Sequence, residues 1–227
     1  MRTFAIIPAG GKGLRSGSSV PKQYLKINGK ELIAYTLSTF QRSSLVNNIV
    51  IAAEKKFHNR LSKIIKENNF SKINLIIEGG KTRQNSVFNC IKKINADKED
   101  LIIVHDAARP LLELKVLNNA INFAIKEGNA VVSIKAKDTL VVGNQFIKNY
   151  VDRNEINYLQ TPQIFKYKDF LRAINYSERN SFVGTDESSL MKKIGKKIHL
   201  VEGSSMNIKI TTKDDLKIFR SISQKGM

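Results

Sequence analysis

Thr3-Phe4-Ala5-Ile6-Ile7-Pro8-Ala9-Gly10-Gly11-Lys12-Gly13-Leu14-Arg15 opens the chain, and its reading decides the fold. Phe4 to Ile7 has the length and flanks of a buried β-strand, and glycines follow at once. A strand feeding such a loop exposes backbone N–H groups and lets a bulky anion approach, for which a phosphate is the natural candidate. Lys12, Arg15 and Lys22 surround the glycines, and no acidic residue occurs between Met1 and Lys30. The third glycine of a dinucleotide-binding G-x-G-x-x-G is missing, and no Gly-Lys-Ser/Thr closes a P-loop. Pro21-Lys22-Gln23 adds a second cation on a proline-stiffened segment, which favours nucleotide phosphates over an ordinary turn.

The chain has 227 residues, enough for one well-packed domain spanning 1–227. Hydrophobic residues make up 41% and charged residues 26%, a globular composition. No apolar run approaches the roughly 20 residues that span a bilayer, so neither a membrane nor a secretion route is expected and a cytoplasmic location is the default. A net charge of +18 invites a nucleic-acid hypothesis. The lysines are scattered, however, and no aromatic-basic platform for stacking bases is present. Cys90 stands alone on the apolar side of a predicted helix and reads as a buried thiol.

Beyond the loop, strands and helices alternate. Helices are predicted over Glu31 to Arg42 and Lys55 to Asn68, with strands at Ile49 to Ala53 and Ile73 to Ile77. This alternation argues for a mostly parallel sheet covered on both sides. A second glycine loop, Glu78-Gly79-Gly80-Lys81, precedes a helix whose inward stripe is Val87, Cys90, Ile91 and Ile94. Open α/β sheets bind ligands at that carboxyl edge. Leu101 to Val104 reads as a central strand and delivers His105-Asp106-Ala107-Ala108-Arg109-Pro110. Asp106 and Arg109 suit either work on a phosphate and a hydroxyl or a mutual ion pair at the strand end. His105 reads as a structural histidine.

Leu114 to Glu127 and Ala130 to Ile134 continue the helix and strand alternation. From about residue 137 to 157 the pattern becomes two short antiparallel strands around Gly143-Asn144, an arm predicted to form a homodimer. Tyr158 to Gln163 reads as irregular backbone that presents the Thr161 hydroxyl. A helix is predicted over Lys166 to Asn175. Thr185-Asp186-Glu187 opens another, its acids complementing the helix dipole. Late strands are expected at Ile198 to Val201 and Asn207 to Thr211, with Lys209 facing an anion or solvent, before a last helix capped by Thr212.

Pro8-Ala9-Gly10-Gly11-x-Gly13-x-Arg15, Pro21-Lys22-Gln23-Tyr24-Leu25, Gly79-Gly80-x-x-Arg83, Ser86-Val87, His105 to Pro110, Asp138-Thr139, Asp152-Arg153, Thr161-Pro162-Gln163, Thr185-Asp186-Glu187 and Asn207-Ile208-Lys209 stand in order across the chain. Together they resemble the 2-C-methyl-D-erythritol 4-phosphate cytidylyltransferase family. The resemblance implies a Rossmann-like α/β fold with a projecting β-arm exchanged between the subunits of a homodimer. It implies transfer of CMP from CTP to methylerythritol phosphate in isoprenoid precursor synthesis, with Mg2+ carried mainly by the CTP phosphates and no protein metal-ligand set. Arg15, Lys22 and Lys209 would then be catalytic. Pro8, Ala9, Gly10, Gly11, Gly13, Gly80, Lys81 and Ser86 would bind the nucleotide, and Asp106, Arg109, Thr139, Arg153 and Thr161 the polyol phosphate. Two positions depart from the family pattern: Gly10 stands where a second alanine is common, and Ser16 where a methionine often follows the arginine. The competing readings are a cytidylyltransferase for another polyol phosphate, such as ribitol 5-phosphate, and, from another class, a basic nucleic-acid-binding module.

Overall fold

Alternation of side-chain direction along each strand builds this molecule around one sheet with two apolar faces. The computed structural model describes residues 1–11 and 20–224. The sheet has seven strands: β1 (Thr3–Pro8), β4 (Asn48–Ala53), β5 (Ile73–Glu78), β6 (Leu101–Val104), β7 (Asn129–Lys135), β10 (Asn157–Lys166) and β11 (Leu200–Glu202). Their spatial order is β11-β7-β10-β6-β1-β4-β5. β1 is parallel to β4 and β6, β4 to β5, and β7 to β11, while β10 runs antiparallel to β6 and β7. The Rossmann-like, mostly parallel α/β arrangement is thus observed.

Ala5, Ile7, Ile49, Ile51, Leu101 and Ile103 point to one face, under α1 (Leu32–Arg42), α2 (His58–Glu67) and α4 (Leu114–Glu127). Phe4, Ile6, Val50, Ile102 and Val104 point to the other, under α3 (Arg83–Ile91), α5 (Tyr167–Arg179) and α6 (Glu187–Lys193). In β6 every residue therefore meets a helix on whichever side its Cβ emerges, which is why Leu101 to Val104 is apolar throughout. Cys90 is buried in the second layer, and burial pushes its thiol up to about 12.

A third, smaller cluster seats the end of the chain. α7 (Lys213–Gln224) lays Phe219 against Ile27, Leu32, Ala108, Leu111 and Ile210. Ile27 comes from the small hairpin of β2 (Lys26–Ile27) and β3 (Lys30–Glu31), which turns through Asn28 and Gly29, both at positive φ. Thr212 and Asp215 cap α7 reciprocally: the Asp215 amide donates to Thr212 Oγ1, and the Thr212 amide to Asp215 Oδ2.

Three expectations are corrected. Tyr158 to Gln163 is part of β10, inside the sheet, and not irregular backbone; the register shifts between Leu159 and Gln163, and this bulge accommodates Pro162, which has no N–H to give. Asn207 to Thr211 is not a strand, because its backbone bonds to isolated partners such as the Ala108 carbonyl, which accepts the Ile210 amide at 2.8 Å. The helix expected from Lys55 begins as a 3-10 turn, Lys55–Phe57, before α2. At the place expected for the arm stands a two-stranded hairpin, β8 (Leu140–Gly143) paired antiparallel with β9 (Ile147–Val151), with exposed Val142, Phe146, Ile147 and Tyr150.

Truncating Phe219 to alanine removes the largest fully buried side chain of the third cluster. A loss of about 3–5 kcal/mol in urea unfolding is expected; a loss below about 1 kcal/mol would show that α7 is not docked as described.

Candidate active site

The carboxyl ends of β1, β5 and β6 converge on a cleft of about 650 Å³. From the first loop come Pro8, Ala9, Gly10 and Gly11; from the second, Gly80, Lys81, Arg83 and Ser86; from beyond β6, Asp106; and from elsewhere Lys22 and Lys209. Ten residues singled out in the sequence are brought together in this way: every described nucleotide-site residue, both described catalytic candidates, and Asp106. Gly13 and Arg15 lie outside the described residues.

The first loop is held from below. The Ala9 amide donates to the Ala52 carbonyl at 2.7 Å, and buried Gln23 donates through Nε2 to the Ala9 and Gly11 carbonyls at 2.5 and 3.1 Å. Gln23 lies in a short 3-10 turn, Lys22–Tyr24, whose Tyr24 ring stacks on Phe57 at 4.5 Å. Lys22 is therefore carried on a turn whose next two residues are fixed in the core. Gly10 leaves room for a Cβ, which would stand 3.8 Å from Ser86 Oγ, so the loop's shape does not depend on glycine at this position.

The second loop is a cradle closed by Ser86. Gly80 N–H donates to Ser86 Oγ at 3.1 Å, and that hydroxyl donates to the Thr82 carbonyl at 2.9 Å. Thr82 caps α3 by accepting the Asn85 amide. A Cβ on Gly80 would collide with the Asn85 Cβ and stand 2.9 Å from its backbone carbon, so this close approach admits only glycine.

Asp106 is the electrostatic centre. Arg83 Nε donates to its Oδ1 at 2.9 Å and Lys209 Nζ lies 2.9 Å from Oδ2, with Arg109 Nε at 3.5 Å from the same oxygen. The Arg109 contact is an ion pair by distance only, since its Nε makes no hydrogen bond. Burial alone would push the Asp106 carboxyl up, but Arg83, Lys209 and Arg109 reverse this and hold it well below the usual carboxylate range. Arg83 also donates to Glu187 Oε1 at 2.6 Å. Glu187 is buried, and desolvation leaves its carboxyl raised despite the guanidinium.

Behind Asp106, Thr161 Oγ1 accepts the Asp106 amide at 3.1 Å and lies 3.0 Å from His105 Nδ1. His105 Nε2 faces the Arg109 carbonyl at 3.3 Å, which assigns the ring proton to Nε2 and makes Nδ1 the acceptor from Thr161. Burial lowers the His105 imidazole to about 3, so it stays neutral. Thr161 and Arg109 thus support Asp106 and do not line the cleft. Thr139 and Arg153 are exposed beside the arm, where Arg153 Nη1 donates to the Lys137 carbonyl at 3.0 Å.

Sequence reasoning gave Gln23, Arg83 and Glu187 no roles in the site. Gln23 and Arg83 lie in motifs that drew attention, but their bonds run to residues 12 or more positions away. Asp186 does cap α6, by accepting the Ser189 amide, as the dipole argument expects. Glu187 turns inward to Arg83, and nothing in its neighbours announces that. Among the described residues no group of three or more His, Cys, Asp or Glu side chains could hold a metal ion, and no helix is long and apolar enough to cross a membrane.

The neutral state of His105 has a pH signature. Below its ordinary value of 6.5 the unfolded imidazole takes up a proton that the folded one refuses. Its contribution is therefore complete above pH 6.5 and declines towards pH 3, with a slope of up to about 1.4 kcal/mol per pH unit. His105→Gln should flatten the stability profile between pH 4.5 and 6 by about that slope in urea unfolding series; an unchanged profile would place this proton on another group.

Known proteins match this chain along almost its whole length. The family model described as 2-C-methyl-D-erythritol 4-phosphate cytidylyltransferase matches residues 3–225. The enzyme of that name from Clostridium acetobutylicum is 36% identical over 225 residues, covering 98% of this chain and 97% of the relative. Its Geotalea uraniireducens counterpart is 36% identical over 219 residues, or 95% and 94% of the two chains. Among solved structures, the Francisella tularensis cytidylyltransferase superposes with a TM-score of 0.80 at 31% identity, over 97% of this chain and 99% of the other. The Anaerococcus prevotii 4-diphosphocytidyl-2C-methyl-D-erythritol synthase gives 0.86 at 26% identity, over 98% and 96%. The glycine loops, the Asp106 cluster and matches that run almost end to end lead to one conclusion: the chain belongs to the 2-C-methyl-D-erythritol 4-phosphate cytidylyltransferase family.

Proposed function

We propose that the cleft transfers CMP from CTP to 2-C-methyl-D-erythritol 4-phosphate, giving 4-diphosphocytidyl-2-C-methyl-D-erythritol and pyrophosphate. The observation that carries this reading is the meeting of two glycine cradles with Lys22, Lys209 and the Arg83–Asp106 pair around one cavity. A phosphomonoester oxygen of the polyol attacks the α-phosphorus of CTP, the bond from that phosphorus to the bridging oxygen breaks, and pyrophosphate leaves with the electron pair. The nucleophile is already anionic, so no protein base is required. The difficulty is the repulsion between two polyanions, and cations fixed at the cleft offset it.

In this reading Pro8, Ala9, Gly10, Gly11 and Gly13 cradle the phosphates, while Arg15, Lys22 and Lys209 stabilise charge at the reacting phosphorus. Gly80, Lys81 and Ser86 receive the cytosine end. Among the described residues Asp106 and Glu54 are the carboxylates lining the cleft, and both Asp106 oxygens are already engaged by Arg83 and Lys209, so a divalent cation would be held mainly by the triphosphate on which it arrives. Bound there, Mg2+ would supply charge neutralisation on the phosphate oxygens. Asp106 orients the polyol phosphate, with Arg109 and Thr161 acting through it from behind the cleft. Thr139 and Arg153 stand away from their own cleft on the arm, so they serve the site of a second copy in a homodimer. Val142, Phe146 and Tyr150, which are exposed among the described residues, support that pairing.

A pyrophosphate-release assay across CTP, UTP, ATP and GTP, crossed with methylerythritol phosphate, ribitol 5-phosphate and other polyol phosphates, tests the reaction. Release confined to CTP with methylerythritol phosphate is expected; release only with another polyol would redirect the substrate. In the same assay Lys22→Ala should lower turnover by about a hundredfold, whereas unchanged turnover in the folded variant removes Lys22 from the chemistry. Deleting Leu140 to Val151 should give a monomer by light scattering and weaken use of the polyol phosphate. A fully active dimer would reject the role given to the arm.

A further inference from the structure

Lys209 reaches Asp106 from a stretch of chain that belongs to no strand or helix, so something other than a ladder must hold its ammonium in place. The stretch is pinned at two points. On the far side, the Ile210 amide donates to the Ala108 carbonyl at 2.8 Å, and the Ile210 side chain is buried in the cluster under α7. On the near side is Asn207, which is fully buried. Its side-chain Nδ2 donates to the Thr161 carbonyl at 2.8 Å and to Gln160 Oε1 at 3.1 Å, both in β10. Its backbone amide donates to the Ser204 carbonyl at 3.0 Å, and its own carbonyl accepts Arg109 Nη1 at 2.6 Å.

One residue therefore joins three parts of the site: the β10 segment with Thr161, the guanidinium of Arg109, and the chain that carries Lys209 two positions on. Its Oδ1 is buried without a hydrogen-bond partner among the described residues.

We propose that Asn207 is a positioning residue for the transfer reaction, fixing the Lys209 ammonium relative to Asp106 and Arg109. It touches neither substrate; it acts through the lysine. The inference rests on the reading of Lys209 as a group acting at the reacting phosphorus, and a double-mutant cycle separates the two.

Asn207→Ala should lower kcat by about tenfold while leaving the KM for CTP within about twofold, since a loosely held cation is felt most in the transition state. In a Lys209→Ala background, followed under single-turnover conditions with enzyme in excess, the same substitution should change the rate by less than about twofold, there being no ammonium left to place. Asn129→Ala is the control for a generally weakened fold. Asn129 is also buried and clips Lys197 and His199 backbone groups through its amide, far along the chain from the cleft. It should lower the melting temperature without lowering kcat. If Asn207→Ala does not fold, Gln160→Ala, which removes one of the two side-chain acceptors, takes its place in the cycle. An equal loss in both backgrounds, or an unchanged kcat, overturns the role of Asn207 and leaves that of Lys209 standing. A Lys209→Ala enzyme as fast as the parent overturns both.

Discussion

A single carboxylate, that of Asp106, keeps three cations in one place. Without it Arg83, Arg109 and Lys209 would repel one another in a partly dry environment where charges are poorly screened. With Glu187 behind Arg83, two carboxylates face three cations, and the cluster keeps one positive charge in excess when both acids are ionised. That is a suitable balance for a cleft that must accept phosphates and still fold before they arrive. A fully neutralised cluster would hold its geometry and attract nothing; an unopposed one would not hold its geometry.

Rigidity at this centre comes from position. Asp106 follows β6, the middle strand of seven, whose residues are packed by helices above and below. Its amide is fixed by Thr161 and its oxygens by Arg83 and Lys209, from two other parts of the chain. The two glycine loops are shaped with equal firmness by Gln23 and Ser86, which occupy the loops' own carbonyls and amide. Preorganised donors of this kind do not have to reorient as charge moves during reaction, which is where enzymes gain most from electrostatics.

The parts of this architecture that obey short-range rules were readable directly. Phe4 to Ile7 and Leu101 to Val104 are apolar because both faces of their strands are covered, and the glycine loops and the Asn28-Gly29 turn carry their conformational reasons with them. The arm declared itself through the break in pattern after Lys135. Other elements depend on partners remote in sequence. β10 looks like a loop because it is polar and holds Pro162, and only its pairing with β6 and β7 on either side makes it a strand. Asn207 to Thr211 looks like a strand because it alternates, yet the adjacent chain offers it no ladder. Glu187 reads as a helix-start acid, and its burial exists only because Arg83 lies 104 residues away. Thr161 was expected at the surface of the site and is found one layer behind it.

The placement of β10 bears on how the molecule comes into being. This strand joins β6 to β7, so the two halves of the sheet are stitched together by residues 157–166, long after both neighbours have been made. During synthesis β6 leaves the ribosome with one flank open, and it stays open while some fifty further residues emerge, including the apolar hairpin. An unpaired, wholly apolar strand is the kind of surface that recruits wrong neighbours. The nascent chain therefore carries an open central seam from the emergence of Val104 until that of Lys166.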